Sequence, residues 1–222
     1  MKIILQVVLL ALIAFLGYQL YNSIIGPVKF NEERDARYEK VIRSLKDIQV
    51  SQLAYKEING KFTGDFDSLI NFIEVGQFAN IQRRDTSYAD QKKNRAYGLD
   101  AMTGGYILED VLVDTLGYTP VKDSLFKNSN RYKTMMKIPV EGVDKNFDMK
   151  AGHVFKNDVK YAAFEAKVEK DVILHDMNKD LLQQEKQVVS VEGVNGPTIK
   201  VGSLDNVDTS GNWPKIYDTV KD

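Results

Sequence analysis

The side chains that could carry acid–base or metal chemistry are few in this chain. Its 222 residues include no cysteine and two histidines, His153 and His175. A histidine followed by an aspartate, as in His175-Asp176, needs further histidines and a second aspartate to complete a metal site. The lack of cysteine excludes disulfides, thiolate zinc sites, iron–sulfur clusters and cysteine nucleophiles. We therefore expect both histidines to be partly exposed side chains at strand ends.

The segment that begins at Asp176 matches a calcium-binding loop only over its first five positions. Asp176, Asn178 and Asp180 fall at positions one, three and five of such a loop. Leu181 takes position six, where glycine is required, and Gln187 takes position twelve, where a bidentate glutamate is required. The sequence also contains no glycine-rich phosphate loop, nucleophile elbow or zinc-binding helix motif. It thus predicts no metal, no cofactor and no enzymatic activity.

Charge is balanced over the chain but unevenly distributed along it. There are 30 lysines and arginines against 31 aspartates and glutamates, for a formal net charge of -1. This balance excludes a nucleic-acid-binding protein that works by bulk electrostatics, because such proteins need an excess of cationic side chains. Residues 1–26 contain a single charged side chain, that of Lys2. The sequence therefore describes one apolar segment attached to a soluble part.

The apolar segment runs from Ile3 to Ile25 without a charged residue. As a helix it is long enough to cross a hydrocarbon core of about 30 Å. Tyr18 and Tyr21 lie one turn apart at its end, where aromatic side chains with a polar tip favour the lipid headgroups. Ala14 and Gly17 lack the small residue two positions earlier that a signal-peptidase site needs, so we favour an uncleaved signal anchor over a cleaved signal peptide.

The orientation of this anchor follows from its resemblance to an export signal that is retained. Counting basic residues on the two sides alone favours the opposite orientation. We nevertheless expect a single-pass protein of the inner membrane, with the C-terminal domain in the periplasm or another extracytoplasmic space. The bilayer is then the first predicted partner.

A second helical segment is predicted after Gly26-Pro27, which should end or kink the apolar helix because proline lacks an amide donor. Asn31 is a suitable N-cap, and Asn59-Gly60 a suitable left-handed C-cap. Between them, one helix face is marked by residues at spacings of three and four: Tyr38, Val41, Leu45, Ile48, Gln52 and Tyr55. This stripe either packs on the chain's own sheet or contacts a neighbouring protein in a bundle.

The stretch from Val41 to Ile73 resembles a segment of type IV pilin-like proteins and pseudopilins. In that segment a long helix ends near an asparagine-glycine pair, and an aromatic residue and a short apolar helix follow. The matching positions here are Ile42, Ile48, Ala54, Tyr55, Asn59, Gly60, Phe62, Leu69 and Phe72. The resemblance implies that Phe62 turns back onto a core and that Asp65 caps the short helix. The basic leader, the glycine-phenylalanine cleavage point and the glutamate of processed pilins are not found, so it implies a pilin-like architecture on a fixed anchor.

The rest of the chain predicts an antiparallel sheet. Residues 75–100 are polar and predict a long surface connection with a short helix. Period-two patterns predict strands over Tyr106–Leu116, Tyr132–Val140, Met149–Phe155, Lys160–Val168 and Thr198–Val201. Residues 177–189 predict a helix or, near Val188–Val191, a continuation of the sheet, and Trp213 is expected to anchor the C-terminal tail to the domain. The predicted class is α+β, with an anchor (1–26), an amphipathic stalk helix (27–60) packed on the sheet, and an extracytoplasmic domain (61–222).

Two functions are consistent with these features. The first is a structural or assembly component of a cell-envelope machine, such as a secretion or pilus-like apparatus, with other envelope proteins or copies of itself as partners. The second is a membrane-anchored module that binds or senses a ligand or a partner protein. Neither requires nucleic acid or a cofactor.

Overall fold

The computed structural model describes residues 2–100 and 104–219. In chain order the elements are α1 (Lys2–Asn59), α2 (Phe66–Val75), β1 (Gln77–Ala89), α3 (Gln91–Tyr97), β2 (Ile107–Pro120), α4 (Val121–Phe126), a 3-10 turn (Arg131–Lys133), β3 (Asp148–Lys156), β4 (Val159–Glu169), α5 (Lys170–Ile173), α6 (Lys179–Lys186), β5 (Thr198–Gly202) and a second 3-10 turn (Lys215–Thr219). The predicted α+β class is confirmed, with a long apolar N-terminal helix and two antiparallel sheets.

Helix α1 is continuous over 58 residues and is therefore roughly 87 Å long. Pro27 lies inside it, so Gly26-Pro27 does not end the apolar helix, and the prediction that Asn31 caps a second helix is wrong. Proline removes only one helical donor, the one that would bond the carbonyl four residues earlier. The apolar segment before it and the packed stripe after it favour helix on both sides, and they outweigh that single loss.

The chain forms two compact units, and each is described separately. The first comprises residues 1–70 and 129–222, and the second comprises residues 71–128. The first unit contains α1 and the three-stranded antiparallel sheet with strand order β3-β4-β5. In this sheet Met149 lies opposite Ala166, which in turn lies opposite Val201. Helix α1 contacts β4 and β5.

The core of the first unit forms where α1 meets this sheet. From the sheet, Phe164, Ala166, Ile199 and Val201 are fully buried. The predicted strands at 149–155, 160–168 and 198–201 and the predicted helix within 177–189 are confirmed. The predicted strand over Tyr132–Val140 is wrong, because this stretch folds as a 3-10 turn followed by a further turn and a single β-bridge at Lys137.

A long hairpin dominates the second unit. Strands β1 and β2 pair in antiparallel register from Gln77 opposite Pro120 to Ala89 opposite Ile107, with a bulge next to Ile81. The prediction of a surface connection over residues 75–100 is therefore wrong for residues 77–89, while the short helix expected there is confirmed as α3. The predicted strand over Tyr106–Leu116 is confirmed and extends to Pro120. Both faces of the hairpin carry exposed apolar side chains.

Candidate functional site

The N-terminal half of α1 is apolar and uncovered. Its side chains from Ile3 to Ile24 are solvent-exposed wherever they are described, including Tyr18 at 65% and Tyr21 at 60%. One 18-residue window has a mean hydropathy of 2.4, and within residues 2–100 and 104–219 this is the one helix long and apolar enough to cross a membrane. An apolar helix surface of this size is costly in water, so it requires either lipid or protein around it.

The C-terminal half of α1 carries the predicted stripe, and the stripe is buried inside the first unit. Tyr38, Val41, Leu45 and Ile48 are almost completely inaccessible, and Gln52 is fully buried. Tyr55 at the end of the stripe is half-buried. These side chains are covered by the chain's own residues and are not free to receive a partner. The helix thus divides its length between an uncovered apolar half and a half that forms the core of a domain.

Gln52 explains why a polar residue occupies a core position of this stripe. Its side-chain Nε2 donates to the backbone carbonyl of Thr63 at 2.6 Å, and its Oε1 accepts from the backbone N–H of Thr63 at 3.1 Å. The amide therefore pairs with both backbone groups of one residue, as a neighbouring strand would. This clamp fixes the chain directly after α1 ends, because a buried backbone donor or acceptor is costly when it lacks a partner.

The turn that follows α1 has the conformation that the sequence predicts. Gly60 adopts a φ of 73°, its N–H donates to the carbonyl of Lys56 at 2.8 Å, and Asn59 donates to the carbonyl of Tyr55 at 3.1 Å. Phe62 is buried with its ring centroid 4.7 Å from that of Phe164 in β4. Asp65 accepts from the N–H of Ser68 at 2.8 Å and so caps α2. The turn returns the chain to the sheet.

A group of charged side chains centred on the buried residues Lys170 and Glu185 holds α5 and α6 against α1, and the sequence analysis did not identify it. We call it the Lys170 cluster; its members are Lys170, Glu185, Arg34, Asp35 and Tyr38. Lys170 is 0% exposed, and its ammonium donates at 2.8 Å to each of three oxygens: Oε1 and the carbonyl of Glu185, and the carbonyl of Val194. All three of its N–H donors are thus used.

Glu185 completes the cluster on the side of α1. Its Oε1 also accepts from the hydroxyl of Tyr38 at 3.1 Å, and its Oε2 accepts from Arg34 at 2.8 Å. Burial lowers the pKa of Lys170, while the ion pair with Glu185 opposes that shift. Burial also raises the pKa of Tyr38, and the charge of Glu185 raises it further, so the phenol stays a neutral donor. Two cations and two carboxylates therefore balance inside the cluster.

A pocket of about 280 Å³ lies beside the Lys170 cluster. It is lined by Arg34, Tyr38, Glu185 and the loop over residues 188–194, among others. The charged groups in its wall pair with one another, since Arg34 bonds both Asp35 and Glu185. Arg34, Asp35 and Glu185 therefore satisfy one another within this wall.

Asp176 is an ion-pair partner in this structure. Arg37 on α1 reaches it with both terminal nitrogens, at 2.5 Å to Oδ1 and 2.9 Å to Oδ2, and also donates to the carbonyl of Ile173 at 2.9 Å. This fork-shaped contact holds the pKa of Asp176 down at about 2. His175 lies 3.9 Å from the same carboxylate, and His153 lies within β3 opposite Ala162. No group of three or more potential metal ligands occurs in the part of the chain that the structure describes.

The C-terminal tail is fixed to α1 by polar contacts of Lys46 and Gln49. Trp213 is half-buried and its indole N–H donates to the nearby Asp218 at 3.2 Å. The backbone carbonyl of Tyr217 accepts from Lys46, and that of Thr209 accepts from Gln49 at 2.6 Å. Burial, followed by the charge of Asp35, raises the pKa of Tyr217 to about 12. The tail is therefore held mainly by polar contacts from one face of α1.

Comparison of the chain with family models, with curated proteins and with solved structures finds no match. The resemblance to type IV pilin-like proteins accordingly depends on the residues between Val41 and Ile73 alone.

Replacing Gln52 by leucine should lower the free energy of unfolding of the full chain by about 1–3 kcal/mol, because both backbone groups of Thr63 lose their partner. Urea unfolding in mild detergent measures this change. Gln183→Leu on the exposed face of α6 is the matched control and should be close to neutral. Equal effects of the two exchanges would show that the Gln52 clamp does not stabilise the fold.

Removing one partner from the Lys170 cluster should cost more than removing two. Lys170→Met leaves the buried carboxylate of Glu185 without its main cation and should destabilise the chain by about 3–5 kcal/mol. Adding Glu185→Gln removes the buried carboxylate that has lost this cation, so the double variant should be more stable than Lys170→Met alone, and the two losses should not add. A double-mutant cycle of unfolding free energies measures this coupling, and strict additivity would contradict it.

The Arg37–Asp176 pair should make the free energy of unfolding depend on pH in the acidic range. Because the pKa of Asp176 is about 2 in the folded chain and 3.8 ordinarily, the unfolded chain takes up the proton first as the pH falls. The stability that the pair provides is therefore complete above about pH 5 and is lost between about pH 5 and pH 2. Asp176→Asn should flatten the stability profile in that window, whereas Asp158→Asn in the exposed β3–β4 turn should leave it unchanged.

Proposed function

We propose that this chain is a single-span membrane protein whose domain serves as a structural or assembly subunit of a cell-envelope machine, such as a secretion or pilus-like apparatus. The observation that carries the proposal is the continuity of α1. One helix forms both the uncovered apolar half and the centre of the first unit. A flexible linker would let an anchored domain reorient, whereas a continuous helix transmits position and orientation from the anchor to the domain.

The buried contacts favour a structural role for the domain. Arg34, Tyr38 and Lys46 on α1 are all engaged by polar groups from α6 or the C-terminal tail. These contacts lock α1 to distant parts of the sequence and consume the polar groups that a ligand would need. The turn at Gly60 and Phe62 adds the local feature that resembles pilin-like proteins.

The proposed location is the inner membrane, with Ile3–Ile25 crossing the bilayer and the domain on the extracytoplasmic side. In this arrangement Tyr18 and Tyr21 lie at the headgroup level. The absence of cysteine from the sequence makes the side testable without background. Lys156→Cys, at the exposed β3–β4 turn, should react with a membrane-impermeant maleimide in intact cells if the domain is outside the cytoplasm.

The full chain is expected to sediment with membranes. When it is solubilised in mild detergent, it should remain in a stoichiometric complex with other envelope proteins or with further copies of itself. Membrane fractionation followed by native pull-down measures both properties. Leu12→Arg combined with Leu16→Arg should shift the chain to the soluble fraction, because each arginine costs about 3 kcal/mol at the centre of a membrane helix.

The matched control introduces two arginines on the exposed side of the same helix, as Val50→Arg and Leu53→Arg. This variant should stay with the membranes. A wild-type chain that is soluble would refute the anchor. A membrane-bound chain that is a partner-free monomer in mild detergent would refute the structural role, and stabilisation by a small ligand would then favour an anchored sensing module.

A further inference from the structure

The hairpin of the second unit is a two-stranded sheet whose two outer edges are unpaired among the described residues. Its strands contain 13 and 14 residues, so the hairpin is roughly 43 Å long. Within residues 71–100 and 104–128, β1 and β2 pair only with each other, and each therefore has one open edge. A two-stranded ribbon is marginally stable in water by itself. The length of these strands makes the open edges unusual, because proteins normally keep edge strands short or covered.

The side chains of the hairpin indicate that it is covered in the functional state. Leu116 is 69% exposed, and Leu112, Val113, Ile107 and Tyr118 are also exposed by more than half. These apolar residues are distributed over both faces, so one helix or loop laid on a single face would leave the others in water. Continuation of the sheet at its edges places further apolar side chains beside those of both faces at once.

The charges of the two strands favour one kind of partner for the open edges. Strand β1 carries Arg83 and Arg84 against one aspartate, Asp85, for a net charge of +1. Strand β2 carries three acidic residues, Glu109, Asp110 and Asp114, and no basic residue, for a net charge of −3. Pairing of two β2 edges would bring six carboxylates together. Pairing of a β1 edge with a β2 edge brings opposite charges together.

We propose that the hairpin binds a second copy of this chain, with the open edge of β1 in one copy forming an antiparallel ladder with the open edge of β2 in the next. The two strands of each hairpin run in opposite directions. When a second copy is related to the first by a translation, its β1 runs antiparallel to the neighbouring β2, so one antiparallel sheet continues through all copies. In a register that places Arg83 opposite Glu109, Arg84 lies diagonally across from Asp110 on the other face. A pair of copies retains one free β1 edge and one free β2 edge at its two ends, so the interaction is head-to-tail and open-ended.

This inference goes beyond the proposed function, because edge pairing requires neither the anchor nor any other envelope protein. It does specify a way in which copies of the subunit associate.

Charge reversal on either strand provides the test. One variant carries Arg83→Glu and Arg84→Glu, and the other carries Glu109→Lys and Asp110→Lys. In each variant alone the two edges bear charges of the same sign, so the association constant of the full chain should fall at least tenfold. In an equal mixture each contact between the two different variants pairs opposite signs again, so copies that alternate along the sheet should restore association. Sedimentation velocity in mild detergent over a range of concentrations measures the change.

The matched control reverses two lysines of the other sheet, Lys156→Glu and Lys160→Glu, which change the net charge by the same amount as the arginine reversals. This control should associate like the wild type. Rescue in the mixture also shows that both reversed variants are folded, since misfolded chains could not complement each other.

Several results would overturn the inference. These are a monomeric wild-type chain at every concentration, association that both reversals leave unchanged, or loss of association that mixing does not restore. Association insensitive to the hairpin but abolished by Leu12→Arg and Leu16→Arg would assign it to the apolar segment instead. Membrane fractionation of the same variants reports separately on the proposed function: a chain that associates through its hairpin but is soluble refutes the anchor and leaves the hairpin inference intact.

Discussion

The constraint on which the first unit depends is that one helix serves two environments. Helix α1 exposes an apolar surface over its first half and buries an apolar stripe, with Gln52, over its second half. The first half has no charged residue between Ile3 and Ile25, whereas the second half carries charges of both signs, and among them Arg34 lies one turn before Tyr38. Because the helix is not interrupted at Pro27, the two halves cannot reorient independently without breaking backbone hydrogen bonds.

The polar contacts of α1 make this arrangement specific rather than merely stable. An apolar stripe can pack on a sheet at several depths, since hydrophobic contacts have little directionality. Gln52 bonds one particular residue, Thr63, and Lys170 requires the carbonyl oxygens of Glu185 and Val194 together with a carboxylate. A shift of α1 by one turn would separate Tyr38 and Arg34 from Glu185 and leave buried charge unpaired. Such a shift is costly, and the polar groups therefore fix the helix in one position.

The sequence predicts the elements whose pattern is local. The stripe from Tyr38 to Tyr55, the left-handed cap at Gly60 and the half-buried strand around Phe164 follow from spacing and residue type, and the structure contains all three. Strand β1 was missed because neither face of the hairpin is covered. Its apolar and polar residues therefore do not alternate. The composition of residues 132–140 suggests a strand, but their buried residues Tyr132, Met135, Ile138 and Val140 are spaced by three, three and two positions, which is not the period of a strand.

The Lys170 cluster was out of reach for a different reason. Lys170 and Glu185 are 15 residues apart, and Arg34 is 151 residues from Glu185, so no spacing rule connects them. Each of these charged residues, considered alone, is of a type that normally lies on the solvated surface, and only the fold brings them together. A single sequence identifies charges that are neighbours on one helix, but it cannot identify charges that meet across a core.

The proposed anchor and the proposed edge pairing reinforce each other physically. Edge pairing between hairpins has to overcome the loss of translational freedom of each copy, and a marginal ribbon offers limited contact area for this. Confinement of the copies to one membrane raises their effective concentration and removes part of that cost before the edges meet. The opposite charges of β1 and β2 then select the pairing of unlike edges over the pairing of like edges. Edge pairing that is measurable between detergent-solubilised chains is in this way strengthened on a membrane, and assembly is then favoured at the place where the chain is anchored.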